Sequence, residues 1–263
     1  MARRRLGFVR RLAVVLLLPM LRVWTKRDWS GTAHVPPEGP VIVAANHLSD
    51  FDPLVIAHFV YGAGRWPQFL AKSSLFKIFV IGPLLRSAWQ IPVYRGTTDA
   101  VKSLEAAVAA VTAGGCLLIY PEGTTPKAGD LWPQRGKTGV ARLYLQTGAP
   151  VVPVVSWGPQ RIFDPRTRKF SFRPHTPVTV VAGPPLDLSK WAGAAQTPAT
   201  LYAVTDEIMT ALRDLLAKVR GEPAPEQPSA SRTGIGNGAG NGGGGNGGGN
   251  DGDGAGGAGG GVG

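Results

Sequence analysis

Short apolar runs separated by helical segments constrain the fold of this chain most. Four runs are rich in β-branched residues and do not alternate between apolar and polar positions: PVIVAA, CLLIY, APVVPVVSW and PVTVVAG. Runs of this kind are typical of strands whose two faces are both covered. The sequence therefore predicts an α/β fold with a largely parallel mixed sheet covered by helices.

The segments between these runs predict the helices. Asp52 as the N-cap and Pro53 at the first helical position predict a helix through residue 61. An Ala-rich helix is expected at 99–113, a helix that ends at Gly148 before the third run, and an amphipathic helix at 198–219. Two further strands are expected, one in WPQFLAK and one in WQIPVYRG, which ends at Arg95.

The two ends of the chain differ from this pattern. From residue 221 the chain is rich in Gly, Pro, Ser and Asn, a composition that buries little apolar surface. We therefore expect a disordered Gly-rich tail at 221–263 and one α/β domain at 31–220. Residues 1–30 form a separate basic and apolar segment.

This N-terminal segment predicts association with a membrane. Its apolar run, Leu12 to Leu21, has arginines on both sides, is too short to span a bilayer and is interrupted by Pro19. A signal peptide is the alternative, but no cleavage site of small residues follows the run. We expect a helix that lies in the membrane interface, with its arginines on anionic headgroups. The basic flanks favour the cytoplasmic face of the cell membrane, with peripheral or monotopic binding.

Charge and cysteine content limit the possible partners. The formal net charge is +11, and the only charged residues after Arg232 are Asp251 and Asp253. A basic domain favours anionic surfaces or substrates, but no nucleic-acid-binding pattern is present, so we expect no nucleic acid partner. One cysteine, Cys116, and four scattered histidines do not form a metal-binding pattern, so we expect neither a metal nor another cofactor.

Polar loops follow two of the predicted buried strands. NHLSDFD follows the first run and YPEGTT the second, and another strand ends at Tyr94 and Arg95. Ligand sites of open α/β sheets form beyond the carboxyl ends of the strands, where such loops converge. We expect the candidate site there.

His47 and Asp52 are the candidate catalytic pair of the first loop. Their spacing of five residues lets the carboxylate accept a hydrogen bond from one imidazole nitrogen and leaves the other nitrogen as a base. Alternatively, Asp52 only caps the following helix and His47 is an ordinary loop histidine. The residues alone leave both interpretations open.

Four blocks of the sequence carry a resemblance to a known family. In order they are NHLSDFD, FLAKSSLFKIFVIGPLLRSAWQIPVYRG, YPEGTT and APVVPV. They resemble the blocks of the glycerolipid acyltransferases, specifically the 1-acyl-sn-glycerol-3-phosphate (lysophosphatidate) acyltransferase family, over about residues 40–185. The resemblance implies transfer of a fatty acyl group from acyl-CoA or acyl-carrier protein to lysophosphatidate, which gives phosphatidate. It also implies that His47 is the general base and that Asp52 orients it.

The resemblance further implies which residues bind the substrate. Those that surround the acceptor phosphate would be Lys72, Arg95, Glu122, Gly123 and Thr124. Arginine and lysine suit a phosphate group on physical grounds.

One position departs from the family pattern. The third block usually reads FPEGTRS, and here Thr125 stands where the arginine is expected. Lys127, Arg135 or Lys137 could supply the missing charge, although each is equally well interpreted as a solvated basic residue.

Other functions remain open from the sequence. They are the same chemistry on glycerol 3-phosphate or a lysoglycolipid, hydrolysis of acyl thioesters, and an inactive homologue that only binds membranes. The presence of His47, Asp52 and Glu122 together favours an active enzyme.

Overall fold

A mixed sheet forms the centre of the protein. The computed structural model describes residues 7–93, 100–123 and 131–225. Within these residues the strands are β1 Thr25–Ser30, β2 Val41–Ala45, β3 Pro67–Lys72, β4 Ile91–Val93, β5 Cys116–Ile119, β6 Val151–Trp157 and β7 Thr176–Ala182. Their order in the sheet is β1-β7-β6-β2-β5-β3-β4.

Most neighbouring strands run in the same direction. β4, β3, β5, β2 and β6 are parallel to one another, whereas β7 runs antiparallel to β6 and carries β1 parallel to itself. The prediction of a largely parallel mixed sheet is confirmed. The carboxyl ends of β5, β2 and β6 therefore lie side by side, and the loops that follow β5 and β2 leave from one edge.

Helices cover both faces of this sheet. The helices of the described residues are α1 Phe8–Trp24, α2 Asp52–Gly62, α3 Ile81–Ser87, α4 Ala100–Thr112, α5 Gly139–Thr147 and α6 Pro198–Arg220. Ile42 and Leu117 pack in the cluster that contains α4, α5 and α6, while Val43 and Leu118 pack with α1 and α2. Because successive strand residues point to opposite faces, β2 and β5 are buried on both sides.

Local signals set the helix ends close to where the sequence predicts them. Gly148 ends α5 with a backbone φ of 63°, in the left-handed region that glycine adopts without strain. The Thr197 side chain caps α6 by accepting a hydrogen bond from Thr200 N at 3.2 Å. The predicted strand in WPQFLAK is β3, and a 3₁₀ turn at Ser73–Lys77 follows it.

The predicted cap of α2 is wrong. Phe51, not Asp52, occupies the N-cap position, and it makes no side-chain cap hydrogen bond. Asp52 is the first residue of the helix, and its carboxylate turns back to the loop before it, where two backbone N–H groups bind it. Local helix preferences cannot distinguish these positions, because a carboxylate suits both.

Strand β1 was not predicted from the sequence. It lies in the segment predicted to associate with a membrane, yet Thr25–Ser30 pairs with β7 along its whole length. β1 is an edge strand with mostly exposed side chains, so it has no buried apolar pattern. Residues 226–263 lie outside the described residues, so the disorder of the tail stays a prediction.

A buried arginine joins the loops at the opposite end of the sheet from the candidate site. The Arg65 guanidinium donates hydrogen bonds to Pro36 O at 2.6 Å, Gly39 O at 2.6 Å and Gly114 O at 3.0 Å. These carbonyl groups lie just before β2 and β5 or in the loop that leads to them. The Arg65 side chain therefore fixes the amino ends of two central strands.

Replacing this arginine should destabilise the fold. We expect Arg65→Met to lower the free energy of unfolding by about 2–4 kcal/mol, because three carbonyl groups lose a charged donor. Chemical denaturation measures the change. The control is Arg173→Met at an exposed position, which should change stability by less than about 0.5 kcal/mol. Equal effects of the two substitutions would contradict the role of Arg65.

Candidate active site

The carboxylate of Asp52 organises the loop between β2 and α2. Asp52 is completely buried, and its Oδ2 accepts hydrogen bonds from Leu48 N and, at 2.7 Å, from Ser49 N. The same oxygen lies 3.2 Å from His47 Nδ1. With Nδ1 donating to the carboxylate, Nε2 of His47 is left as the proton acceptor. The structure thus brings together the two residues that the sequence paired.

Asn46 fixes the start of this loop to the neighbouring strand β6. Its Nδ2 donates to Ser156 O at 3.1 Å, and its Oδ1 accepts from Ser156 N at 2.8 Å. Ser49 adds a second anchor, because its Oγ donates to Phe163 O at 2.7 Å. Sequence reasoning missed Asn46. The signal was present, since a buried polar residue directly after an apolar strand needs partners from another segment.

Glu122 connects the two polar loops. Its Oε1 accepts a hydrogen bond from His47 N at 2.9 Å, and its Oε2 accepts one from Gln134 N at 3.0 Å. The residue is only 3% exposed. Both carboxylate oxygens therefore bind the protein backbone, and the structure gives Glu122 a positioning contact with His47. The substrate-binding role that the resemblance implies for Glu122 stays a prediction.

Tyr120 packs against the imidazole ring. The ring centroids of His47 and Tyr120 lie 4.2 Å apart with an interplanar angle of 21°, a stacked arrangement. This contact supports one face of the imidazole, and sequence reasoning did not single out Tyr120. The aromatic residue at the start of YPEGTT was the available signal.

Burial changes the acidity of both carboxyl groups. Burial raises the pKa of Glu122 to about 7, against the opposing effect of the hydrogen bonds from Gln134 N and His47 N. Burial likewise raises the pKa of Asp52, and the contacts with His47, Ser49 and Leu48 oppose that rise. The two groups thus depend on donors from the loops to hold a negative charge.

Gly123 makes room for a lysine at the second loop. Its backbone φ is 69°, and a Cβ atom at this position would lie 2.8 Å from Nζ of Lys137. Lys137 N also donates to Pro121 O at 2.8 Å. The segment before α5 therefore lies along the loop that follows β5.

Of the remaining predicted site residues, the structure describes only Lys72. Lys72 is the last residue of β3 and is exposed, with β5 between its strand and β2. Arg95 and Thr124 lie outside the described residues, as do Thr125 and Lys127. Their roles stay predictions. Among residues 7–93, 100–123 and 131–225, no three His, Cys, Asp or Glu side chains are grouped to hold a metal ion.

A comparison with known families decides the membership of the chain. Residues 26–157, just over half of the chain, match the Acyltransferase family. The chain belongs to the Acyltransferase family. The matched range includes both polar loops, from β1 to the carboxyl end of β6.

Individual relatives of this Acyltransferase-family chain carry more specific names. It is 29% identical over 135 residues to the 1-acyl-sn-glycerol-3-phosphate acyltransferase of Borreliella burgdorferi, which covers 51% of this chain and 52% of that protein. It is 29% identical over 167 residues to a chloroplastic 1-acyl-sn-glycerol-3-phosphate acyltransferase of Brassica napus, with coverage of 63% and 46%. The chain thus spans about half the length of these two curated relatives.

A solved structure shares the fold. The 1-acyl-sn-glycerophosphate acyltransferase PlsC from Thermotoga maritima superposes with a TM-score of 0.53 at 23% sequence identity. The superposition covers 80% of this chain and 77% of that chain. The α/β architecture with a mostly parallel sheet is therefore shared with this solved acyltransferase structure.

The raised pKa of Glu122 predicts a specific pH dependence of stability. Because the pKa in the folded protein, about 7, exceeds the ordinary value of 4.5, folding favours the protonated carboxyl group. Its contribution is therefore complete below pH 4.5 and is lost as the pH rises through 7. We expect the free energy of unfolding of the wild type to fall relative to that of Glu122→Gln across this range.

Chemical denaturation of both proteins at several pH values tests this expectation. Glu38→Gln, at an exposed position, is the matched control, and its free energy of unfolding should change with pH in parallel with that of the wild type. Parallel curves for Glu122→Gln and wild type would contradict the raised pKa.

Proposed function

We propose that the protein is a 1-acyl-sn-glycerol-3-phosphate O-acyltransferase. It transfers a fatty acyl group from acyl-CoA or acyl-carrier protein to the free hydroxyl of lysophosphatidate and so forms phosphatidate. The observation that carries the proposal is the contact of His47 Nδ1 with buried Asp52, which leaves Nε2 to accept a proton. The names of the two curated relatives support the choice of acceptor.

His47 acts as a general base in this reaction. Nε2 takes the proton of the acceptor hydroxyl while the hydroxyl oxygen attacks the carbonyl carbon of the thioester. Asp52 stabilises the imidazolium that forms. The tetrahedral intermediate then collapses, the carbon–sulfur bond breaks, and the leaving thiolate takes the proton back from His47. The imidazole returns to its starting state, so no external acid or oxidant is needed.

The surroundings of His47 suit this role. Its side chain is 15% exposed, so substrate can reach the ring, while Asp52 is buried and inaccessible as a nucleophile. The backbone N–H of His47 is held by Glu122 and one ring face is covered by Tyr120. A base held by several contacts needs little reorganisation when the substrate binds, which lowers the barrier.

Basic residues at the rim bind the acceptor phosphate in this proposal. Lys72 presents an exposed side chain at the carboxyl end of β3, and Arg95 follows β4 in the sequence. Interactions with phosphate are made equally in the ground state and the transition state, so these residues contribute mainly to acceptor affinity. The net charge of +11 favours an anionic acceptor in general.

Removing the base should nearly abolish transfer. We expect His47→Ala to lower kcat by roughly 10²–10⁴-fold, the usual contribution of a general base, with a melting temperature close to that of the wild type. The assay supplies labelled acyl-CoA with lysophosphatidate and identifies phosphatidate as the product. His175→Asn, at an exposed histidine, is the control and should keep full activity. Activity of His47→Ala within about threefold of the wild type would contradict the proposal.

The same assay separates the alternative reactions. Glycerol 3-phosphate and a lysoglycolipid replace lysophosphatidate as the acceptor in separate reactions with the wild type. A reaction without a lipid acceptor leaves only water to accept the acyl group. We expect lysophosphatidate to give the highest kcat/KM. Release of free fatty acid without transfer to any lipid would identify a thioester hydrolase instead.

We further propose that α1 and the neighbouring segment 79–89, which contains α3, bind the cytoplasmic face of an anionic membrane. In the part of the chain that the structure describes, no helix has the length and apolarity needed to cross a bilayer. Exposed apolar side chains occur on both segments, with Val15 66% and Phe79 94% exposed. The Arg10 guanidinium lies 3.7 Å from the ring centre of Trp89, which joins α1 to the end of α3. Exposed apolar groups beside basic residues are typical of an interfacial membrane contact.

Polar substitutions on this surface should weaken membrane binding. We expect Val15→Gln with Leu16→Gln, and separately Phe79→Ser with Val80→Ser, to reduce sedimentation with vesicles that contain phosphatidylglycerol. Val101→Ser is the control, because Val101 is an exposed valine on α4, at the other face of the sheet. Neutral phosphatidylcholine vesicles should bind all variants weakly. Unchanged binding of both double variants would show that another surface makes the contact.

A further inference from the structure

Lys137 extends along the second polar loop of the candidate site. Its backbone N–H donates to Pro121 O at 2.8 Å, which holds the segment before α5 against the loop. Its side chain crosses Gly123, where a Cβ atom would lie 2.8 Å from Nζ and 3.1 Å from Cε. The ammonium group therefore lies at the residue next to Glu122, whose Oε1 accepts the hydrogen bond from His47 N.

The position of Gly123 makes this arrangement possible. A side chain there would occupy the space of the lysine chain, and the φ of 69° already favours glycine. The glycine thus gives the Lys137 side chain a path across the loop.

The nearby basic residue Arg135 is oriented differently. Its guanidinium carbon lies 5.7 Å from the ring centre of Tyr202, which is on α6. Lys137 is exposed and, within residues 7–93, 100–123 and 131–225, forms no ion pair with a carboxylate. Of these two residues, Lys137 is therefore the one placed to offer its charge to a ligand at the loop.

We propose that Lys137 binds the phosphomonoester of the acceptor at Gly123. The inference rests on the proposed function. A phosphomonoester carries up to two negative charges, and an ammonium group binds it as a mobile point charge with three donors. Thr125 supplies no positive charge to the same loop, and Lys127 of that loop lies outside the described residues. Lys137 provides that charge from the segment before α5.

The donor also carries phosphate groups when it is acyl-CoA. The experiment must therefore distinguish binding of the acceptor phosphate from binding of the donor phosphates. We would measure kcat and KM of the wild type, Lys137→Met and Lys137→Arg for lysophosphatidate and for acyl-CoA. Methionine keeps the length of the side chain without its charge, and arginine keeps the charge. Lys218→Met, at an exposed position of α6, is the matched control. Dissociation constants for lysophosphatidate and for uncharged monoacylglycerol would be measured in the His47→Ala background, where turnover does not interfere.

We expect Lys137→Met to raise KM and the dissociation constant for lysophosphatidate roughly tenfold, with kcat within about threefold. The constants for monoacylglycerol and acyl-CoA should change less than about twofold, and Lys137→Arg should restore most of the lost affinity. Equal losses for both lipids, no loss for either, or a higher KM for acyl-CoA alone would each overturn the assignment. A larger effect of Arg135→Met would do the same.

The wild type distinguishes this failure from failure of the proposed function. If the wild type forms phosphatidate while Lys137→Met behaves like it, only the role of Lys137 is wrong. If the wild type transfers acyl groups to no lysolipid, the proposed function is wrong and the assignment of Lys137 is overturned with it.

Discussion

The burial of the Asp52 carboxylate sets the geometry on which the site depends. A carboxylate removed from water is unfavourable by several kcal/mol unless donors replace its hydration. Here Leu48 N, Ser49 N and His47 Nδ1 supply those donors. The loop can satisfy the carboxylate only in a conformation that points these groups inward. The orientation of the imidazole and the identity of its free nitrogen are therefore consequences of how a buried charge is satisfied.

The strand order explains why two distant loops meet at this carboxylate. β5, β2 and β6 are adjacent and parallel, so their carboxyl ends share one edge of the sheet. Glu122 crosses from the loop after β5 to hold His47 N, and Asn46 crosses from the loop after β2 to bind Ser156 on β6. Each of these polar side chains is buried and satisfied by backbone groups of another segment. The backbone of the site is thus fixed by contacts that exist only when the three strands pair in this register.

The separation of two contacting residues along the sequence determines whether their contact could be predicted. The buried strands carry their own pattern, and the pairing of His47 with Asp52 spans five residues, so both were accessible from the sequence. Asn46 and Ser156 are 110 residues apart, and no local spacing encodes that contact. β1 was missed because an edge strand with exposed side chains lacks the pattern of the central strands. The position of Asp52 was misassigned because a carboxylate can bind backbone N–H groups either as a cap or from the first helical residue.

The distribution of charge separates the interior of the site from its rim. Asp52 and Glu122 are buried beside His47, and burial raises the pKa of each, which limits the negative charge held near the base. Lys72 and Lys137 are exposed and lie at the carboxyl ends of the strands or on the loops that follow them. An anionic acceptor is attracted by the exposed ammonium groups. In the proposed reaction the phosphate therefore stays at the solvated rim while the hydroxyl reaches Nε2.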